Sequence, residues 1–364
     1  MKQIFKHIKL ANGKRRDVVV EAGLIQEVSE QYDGSADVIE LPDDAYLSPG
    51  WIDLHTHAFP KYPPYGAEAD DIGWKTGVTT VVDAGTCGAD DIQEFYEFAE
   101  RCKTRVLSFL NISRVGLSRT DELSDLTNLS LDAAEAAMTM YPAFIVGIKA
   151  RMSGSVVGES GIEPLKLAKK LQDRVKKPLM VHIGSAPPQV EDILHLLSAG
   201  DIVTHCYNGK ENNVFNQTGT PLPALTKAID RGVLLDIGHG TESFSFKAAE
   251  YGQTSGVVFD TISTDIYNGN KEGGPVYSMA TTLTKLLALG SSLESCIQAV
   301  TEKPAVAIGR ADLGQLRPGA KAEFTVFRQV DESSELIDSY GNKRYSKTTI
   351  KPIGVYIGGL YHEL

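Results

Sequence analysis

The chain contains eight histidines, and five of them (His55, His57, His182, His205 and His239) close short apolar runs. His55-Thr56-His57 ends the first such run. Residues two apart on a strand share a face, so both imidazoles can enter one cleft together. A polar pair at a loop entrance is the other reading of that motif taken alone. Val181-His182-Ile183-Gly184, Thr204-His205-Cys206-Tyr207 and Leu234-Leu235-Asp236-Ile237-Gly238-His239 end later runs, and Ser263-Thr264-Asp265-Ile266 ends the last. Four imidazoles and the Asp265 carboxylate meeting in one cavity suit Zn2+ or a similar divalent ion.

Lys149, at the end of Val146-Gly147-Ile148-Lys149-Ala150-Arg151, is the unusual member of this set. An apolar strand carrying its amine beside bound cations favours the neutral form, through desolvation and like charge together. A neutral amine can add CO2 to become a carbamate, an anion able to bridge two metals. Two divalent cations, one carbamate, Asp265 and one hydroxide balance to a small positive charge, whereas an ammonium there is repelled. A salt-bridged lysine is the alternative for the residue in isolation.

The elements that must position these groups follow from the hydrophobic pattern. Apolar runs at 46–54, 79–83, 106–112, 144–150, 179–183, 202–206, 233–237 and 261–266 alternate with amphipathic stretches. The helical stretches are 90–103, 130–140, 163–175, 189–198, 223–231 and 277–289. Strands alternating with helices predict right-handed crossovers and a parallel sheet. Eight units fit an α/β (β/α)8 TIM barrel, whose chemistry gathers at the C-terminal ends of its strands. Short β-like runs at 18–23 and 24–28, and again at 322–327 and 350–357, predict a small discontinuous β-domain built from both chain ends. The expected organisation is 1–47 and 309–364 for that domain, around a barrel at 48–308.

Composition sets the outer limits. With 364 residues, 42% hydrophobic and 23% charged, the chain can bury a large core. Its net charge of -11 argues against nucleic acid or an anionic membrane as partner, leaving a small molecule. Cys87, Cys102, Cys206 and Cys296 form no CxxC motif and predict free thiols. No apolar stretch of membrane-spanning length and no signal-like N-terminal run is present, so a cytoplasmic location is expected. A homo-oligomer is compatible with the sequence, which shows no interface.

Pro49-Gly50-Trp51-Ile52-Asp53-Leu54-His55-Thr56-His57, Lys149, His182, His205 and Asp265 together resemble the binuclear branch of the amidohydrolase superfamily. Lys303-Pro304-Ala305 and Gly314-Gln315-Leu316-Arg317-Pro318-Gly319 resemble its return segment, and Glu323-Phe324 stands where Asp-Leu is frequent. Gly147 to Met152, His182 to Pro188, Thr204 to Gly209 and Asp236 to Thr241 are similar to an amidohydrolase/deacetylase branch, whose members often carry dihydroorotase-like or adenine-deaminase-like labels. The resemblance implies one metal on His55, His57, Asp265 and a carbamate on Lys149. It implies a second on His182, His205 and the same carbamate, with a hydroxide bridging both.

The chemistry so implied is hydrolysis of an amide or ester by that metal-bridging hydroxide, with Asp265 as proton shuttle. Arg151 shares a strand face with Lys149 and can bind a substrate carboxylate, or else pair with a loop acid such as Glu159. His239 is open between substrate, oxyanion and a bracing hydrogen bond. Tyr207 and Asn208 are expected as pocket walls, Tyr267 and Cys87 as packed residues, and the loops 59–65 and 268–275 as lids or plain surface. The expected enzyme is a deacetylase or amidase for a small N-acyl compound bearing a carboxylate. A cyclic amide hydrolase of the dihydroorotase or hydantoinase type is the alternative, weakened because Ala58-Phe59-Pro60, rather than an arginine, follows His57. A nucleobase deaminase and a barrel that serves only as a scaffold rank lower.

Overall fold

The computed structural model describes residues 2–364. Its first strands are short and separated by turns: β1 (Lys2–Lys9), β2 (Arg15–Glu21), β3 (Leu24–Ser29), β4 (Asp37–Val38) and β5 (Tyr46–Pro49). The expected 46–54 run divides at Gly50. A Cβ there would stand 2.1 Å from Thr79 Oγ1, so only glycine lets the chain pass from one sheet to the next. Beyond it lie β6 (Trp51–Thr56), β7 (Val78–Ala84), β8 (Arg105–Asn111), β9 (Ile145–Met152), β10 (Leu179–Ile183), β11 (Ile202–Thr204) and β12 (Leu234–Asp236). These seven pair in parallel in sequence order and curl into the barrel.

Alternation along the strands explains why each reads as a continuous apolar run. Leu179 and Val181 of β10 pack outward beneath the helices, while Met180 joins Ile52, Leu54, Phe109 and Val146 in the barrel interior. The eighth run, 261–266, is not a regular strand. It touches its neighbours through single parallel bridges, Asp236 to Thr261 and Thr56 to Ile266. Main-chain bonds such as Ile237 to Thr261 and His239 to Ser263 hold it in place, and side chains reinforce them. Asp236 accepts hydrogen bonds from Thr261, Ser263 and Thr204 hydroxyls at 2.7, 2.6 and 2.7 Å. Asp53 accepts from the Thr264 amide and hydroxyl at 3.0 and 2.5 Å.

The 163–175 helix lies where its periodicity predicts, and the others are trimmed by one to four residues at their ends. A further helix, Phe246–Ser255, begins where Ser245 caps the Ala248 amide. The C-terminal segment forms β13 (Phe324–Val330), β14 (Ser334–Ile337), β15 (Lys343–Ser346), β16 (Thr349–Ile357) and β17 (Leu360–Glu363). One sheet runs β17-β16-β13-β5-β1-β2-β3, with β4 beside β1, so strands from both chain ends share it. β14 and β15 form a separate hairpin.

Phe5, Phe324 and Tyr356 form an aromatic cluster inside the mixed sheet, with centroids 5.5–5.8 Å apart. Phe327 links that sheet to the barrel by stacking on Tyr46 at 5.3 Å and lying 5.5 Å from Trp51. The Thr325 hydroxyl accepts from the Trp51 amide and donates to the Gly77 carbonyl. No helix among the described residues is long and apolar enough to cross a membrane. Truncating fully buried Phe327 to alanine is expected to cost about 3–5 kcal/mol, read from denaturant unfolding of the full chain.

Candidate metal centre and substrate pocket

The end of β6 and the irregular eighth run are tied together by main-chain hydrogen bonds. The Asp265 amide donates to the His55 carbonyl at 2.6 Å, and the His57 amide to the Ile266 carbonyl at 2.9 Å. Asp265 takes a left-handed backbone conformation, φ 51°, and so does His205 at φ 68°. Such conformations are uncommon for side chains larger than glycine and concentrate where geometry serves a site. Here they bring Asp265 Oδ1 to 3.0 Å from His57 Nε2 and 3.4 Å from His55 Nε2. One ligand atom each from His55, His205 and Asp265 falls within 4.8 Å of the others.

The donor set fits a metal because hydrogen bonds fix which ring nitrogens keep a lone pair. His205 Nδ1 donates to the Gly238 carbonyl at 2.5 Å, which leaves Nε2 as the donor atom for a cation. His55 Nδ1 meets Thr204 Oγ1 at 2.8 Å. That hydroxyl gives its proton to Asp236 Oδ2, so it accepts from His55 and leaves the His55 Nε2 lone pair facing the centre. His57 Nδ1 contacts Thr86 Oγ1 at 2.7 Å, and His182 Nδ1 faces His205 Nε2 at 2.8 Å. Burial, joined by the neighbouring positive groups, holds His55 and His182 well below the ordinary imidazole range. Burial also lowers His205 to about 4, against the pull of Asp265. Neutral rings are what a metal needs. Burial alone would raise Asp265, but the His57 hydrogen bond and the charges of His57, His205 and Lys149 bring it below its usual value.

Lys149 is 1% exposed, with Nζ 3.2 Å from His55 Nε2 and 3.3 Å from Met180 Sδ. Burial pushes its amine down to about 7, although Asp265 and Asp236 pull the other way.

A cavity of about 210 Å³ opens beside these groups, and its walls include Tyr65, Arg151, His182, Lys210, Asp265 and Tyr267. A larger cavity of about 480 Å³ lies at the opposite ends of the strands, near Thr79 and Arg105, away from the histidines. Arg151 lines the smaller one, but its partner is Glu122 rather than Glu159. Nη1 sits 3.2 and 3.3 Å from the two Glu122 oxygens, and the Arg151 guanidinium lies 5.8 Å from the Tyr65 ring centroid. Glu122 is fully buried and also faces the Asn111 amide. It therefore holds the guanidinium from behind.

The two expected wall residues turn elsewhere, and His239 takes one of the three roles left open for it. Tyr207 packs near Phe215 and Phe259 and donates to the Val257 carbonyl, on the helix side of the barrel. Asn208 donates to the His205 carbonyl and accepts from the Lys210 amide, bracing the turn that carries His205. His239 lies between Gly238 and Gly240, both with positive φ, and is swung away from the pocket. Its ring stacks on Phe244 and meets Lys285 Nζ at 2.8 Å, so it acts as the brace. Tyr267, expected to be merely packed, lines the pocket, its hydroxyl 2.9 Å from Thr241 Oγ1. Cys87 is buried with its thiol pushed up by burial, as suits a packed residue.

Glu122, Lys210 and Tyr65 carry no local signal in the sequence. Thr204 and Asp236 do: each is the polar residue at the inner end of an apolar run that leads to a histidine.

A family model described as a deacetylase-like composite domain matches residues 316–362. A deacetylase of Enterococcus faecalis is 43% identical over 363 residues, covering 99% of this chain and 98% of that relative. The chain belongs to the amidohydrolase/deacetylase superfamily. Among solved structures, one described as an adenine deaminase shares 43% identity with this amidohydrolase at a TM-score of 0.97, covering 100% of this chain and 99% of the other. Another, described as a dihydroorotase, shares 34% at a TM-score of 0.91, covering 100% and 98%. Three different reactions are named across one shared architecture, so likeness defines the superfamily and not the substrate.

This amidohydrolase is a metal-dependent hydrolase, and His55, His205 and Asp265 form its metal-binding cluster. Thr204→Val removes the acceptor that orients His55 while keeping its shape. Metal affinity is expected to fall by roughly 10–100-fold, measured by competition with a chromophoric chelator.

Proposed function

We propose that this amidohydrolase removes the acyl group from a small N-acyl compound that carries a carboxylate. The observation that carries the proposal is Arg151, held from behind by buried Glu122 and opening on the same cavity as His182 and Asp265. A guanidinium so placed recognises a carboxylate through its remaining donors. Lys210 adds a second cation to that wall.

His55, His57, Asp265 and a carbamate on Lys149 would hold one divalent ion, and His182, His205 and the same carbamate a second. Neutral imidazole donors with oxygen ligands suit Zn2+. Bound there, the ions supply Lewis-acid activation of water and of the scissile carbonyl at neutral pH. Lys149, lowered to about 7, is poised to react with CO2, losing a proton as the carbamate forms. Asp265, kept ionised by its neighbours, takes the proton released on attack and hands it to the leaving amine. Tyr65 and Tyr267 cover the approach, with ring centroids 5.3 Å apart. An amide whose acid half docks on Arg151 therefore places its carbonyl toward the histidines. A diffusible substrate of this kind calls for neither nucleic acid nor membrane, and the free cysteines suit a cytoplasmic setting.

Cyclic amide hydrolysis is the second reading, supported by the likeness to a solved dihydroorotase. Against it, the position after His57 is Ala58, fully buried, which offers no cation to a ring carboxylate.

Purified in zinc and bicarbonate, the chain is expected to cleave members of an N-acetyl amino acid library faster than dihydroorotate, hydantoins or adenine. Faster turnover of the cyclic amides would reverse the assignment, and turnover of adenine alone would exclude both. Arg151→Met is expected to raise KM for the acid by about tenfold or more, with a smaller change in kcat. Asp265→Asn should lower kcat by roughly 10²–10⁴-fold, and metal analysis of the same sample shows whether ion binding survives. Lys149→Ala should reduce bound zinc from two ions per chain, and a full complement in that variant would remove the carbamate.

A further inference from the structure

The β14–β15 hairpin belongs to the C-terminal segment, yet its turn reaches the mouth of the barrel. Buried Asp338 shapes that turn by accepting from the Tyr340 and Asn342 amides at 2.9 and 2.8 Å. Its other oxygen accepts from the Phe246 amide at 3.0 Å. The Ser339 amide donates to the Phe244 carbonyl at 3.0 Å. Its hydroxyl accepts from the Phe244 amide at 3.2 Å and donates to the Gly240 carbonyl at 3.0 Å. The Tyr340 hydroxyl accepts from the Gly209 amide at 2.9 Å and donates to the Glu242 carbonyl at 3.0 Å. Three consecutive side chains thus grip the backbone of two loops, one after β11 and one after β12.

Those loops carry Lys210, Thr241, Glu242 and Ser243, all of which line the cavity beside Asp265. Approach is close, since a Cβ on Gly209 would lie 2.7 Å from the Tyr340 ring. Arg344 of β15 anchors the hairpin from outside, through Glu250 at 2.6 Å and over the Phe246 ring at 5.3 Å. Both loops are held by these side chains where a sheet ladder would otherwise set their position.

We propose that Ser339 and Tyr340 are positioning residues that set the part of the substrate pocket wall formed by Lys210 and residues 241–243, so that the hairpin governs substrate fit and not the chemical step. Their hydrogen bonds to these loops are to backbone alone, so they do not depend on which side chains stand at 241–243. Lys210 and Glu242, 3.7 Å apart, would then present a charged pair at a fixed distance from the Arg151–Glu122 pair.

The kinetic part of the test rests on the proposed N-acyl acid substrate, and the exchange part does not. Tyr340→Phe keeps the ring and removes both hydrogen bonds, and Ser339→Ala provides a second variant should the first fail to fold. Hydrogen–deuterium exchange on the zinc-loaded full chain is expected to speed up by about tenfold in peptides covering 209–210 and 241–246. The remaining peptides and the melting temperature should be preserved. KM for the best N-acyl acid should rise about fivefold with kcat nearly unchanged. Unchanged protection of those peptides in both variants overturns the proposal, and so does a fall in kcat at constant KM. If the wild-type chain cleaves no N-acyl acid, the substrate assignment falls and exchange alone decides the role of the hairpin.

Discussion

The barrel closes through the run at 261–266, which main-chain hydrogen bonds and two buried carboxylates together hold to both of its neighbours. Asp53 and Asp236 gather hydroxyls and an amide from Thr204, Thr261, Ser263 and Thr264, and those bonds reinforce the main-chain ones. With single bridges instead of a regular ladder, Asp265 takes a left-handed backbone that sets its carboxylate beside His55 and His57. Burial raises Asp53 to about 7 and lifts Asp236 as well, opposed by the hydrogen bonds each accepts. The same Asp236 oxygen that receives Thr204 also fixes the His55 tautomer through it. Closure of the fold and readiness for metal are therefore one hydrogen-bond system.

Charge near the mouth is arranged on a scale the net charge of -11 cannot show. Arg151 and Lys210 face the cavity, whereas Glu122 sits wholly beneath the surface and contributes orientation. Burial raises Glu122, opposed chiefly by the Arg151 charge. Lys149 sits between two pulls, with burial favouring the neutral amine and Asp265 with Asp236 favouring the cation.

Most of the barrel was legible because strands buried on both faces leave continuous apolar runs, each ending in the polar residue that enters the mouth. The candidate ligands were legible for the same reason: His182 lies one inward step beyond Met180, and His205 directly follows Thr204. The eighth run lies where its pattern predicts, between β12 and β6, but it forms single bridges rather than a regular strand, which the strand-forming side chains of Thr261, Ser263 and Thr264 do not report. His239 misled because strand-end position alone does not report the two positive-φ glycines that turn it toward Lys285. Glu122 left no pattern at all, being one of three acids in a polar loop and having its partner 29 residues away. The hairpin at 334–346 leaves no sequence signal because strands that pair only with each other bury little and show no apolar alternation.

The mixed sheet imposes an order on how the molecule can be completed during synthesis. β5 is flanked by β1, made at the start, and by β13, made after the whole barrel. A nascent chain must keep one hydrogen-bonding edge of β5 unpaired until residue 324 emerges, with Phe5 lacking its Phe324 and Tyr356 neighbours meanwhile. The hairpin that grips the mouth is later still. The candidate ligands, from His55 to Asp265, all precede it. Vectorial synthesis thus delivers the residues of the candidate centre before the segment that braces the mouth around them.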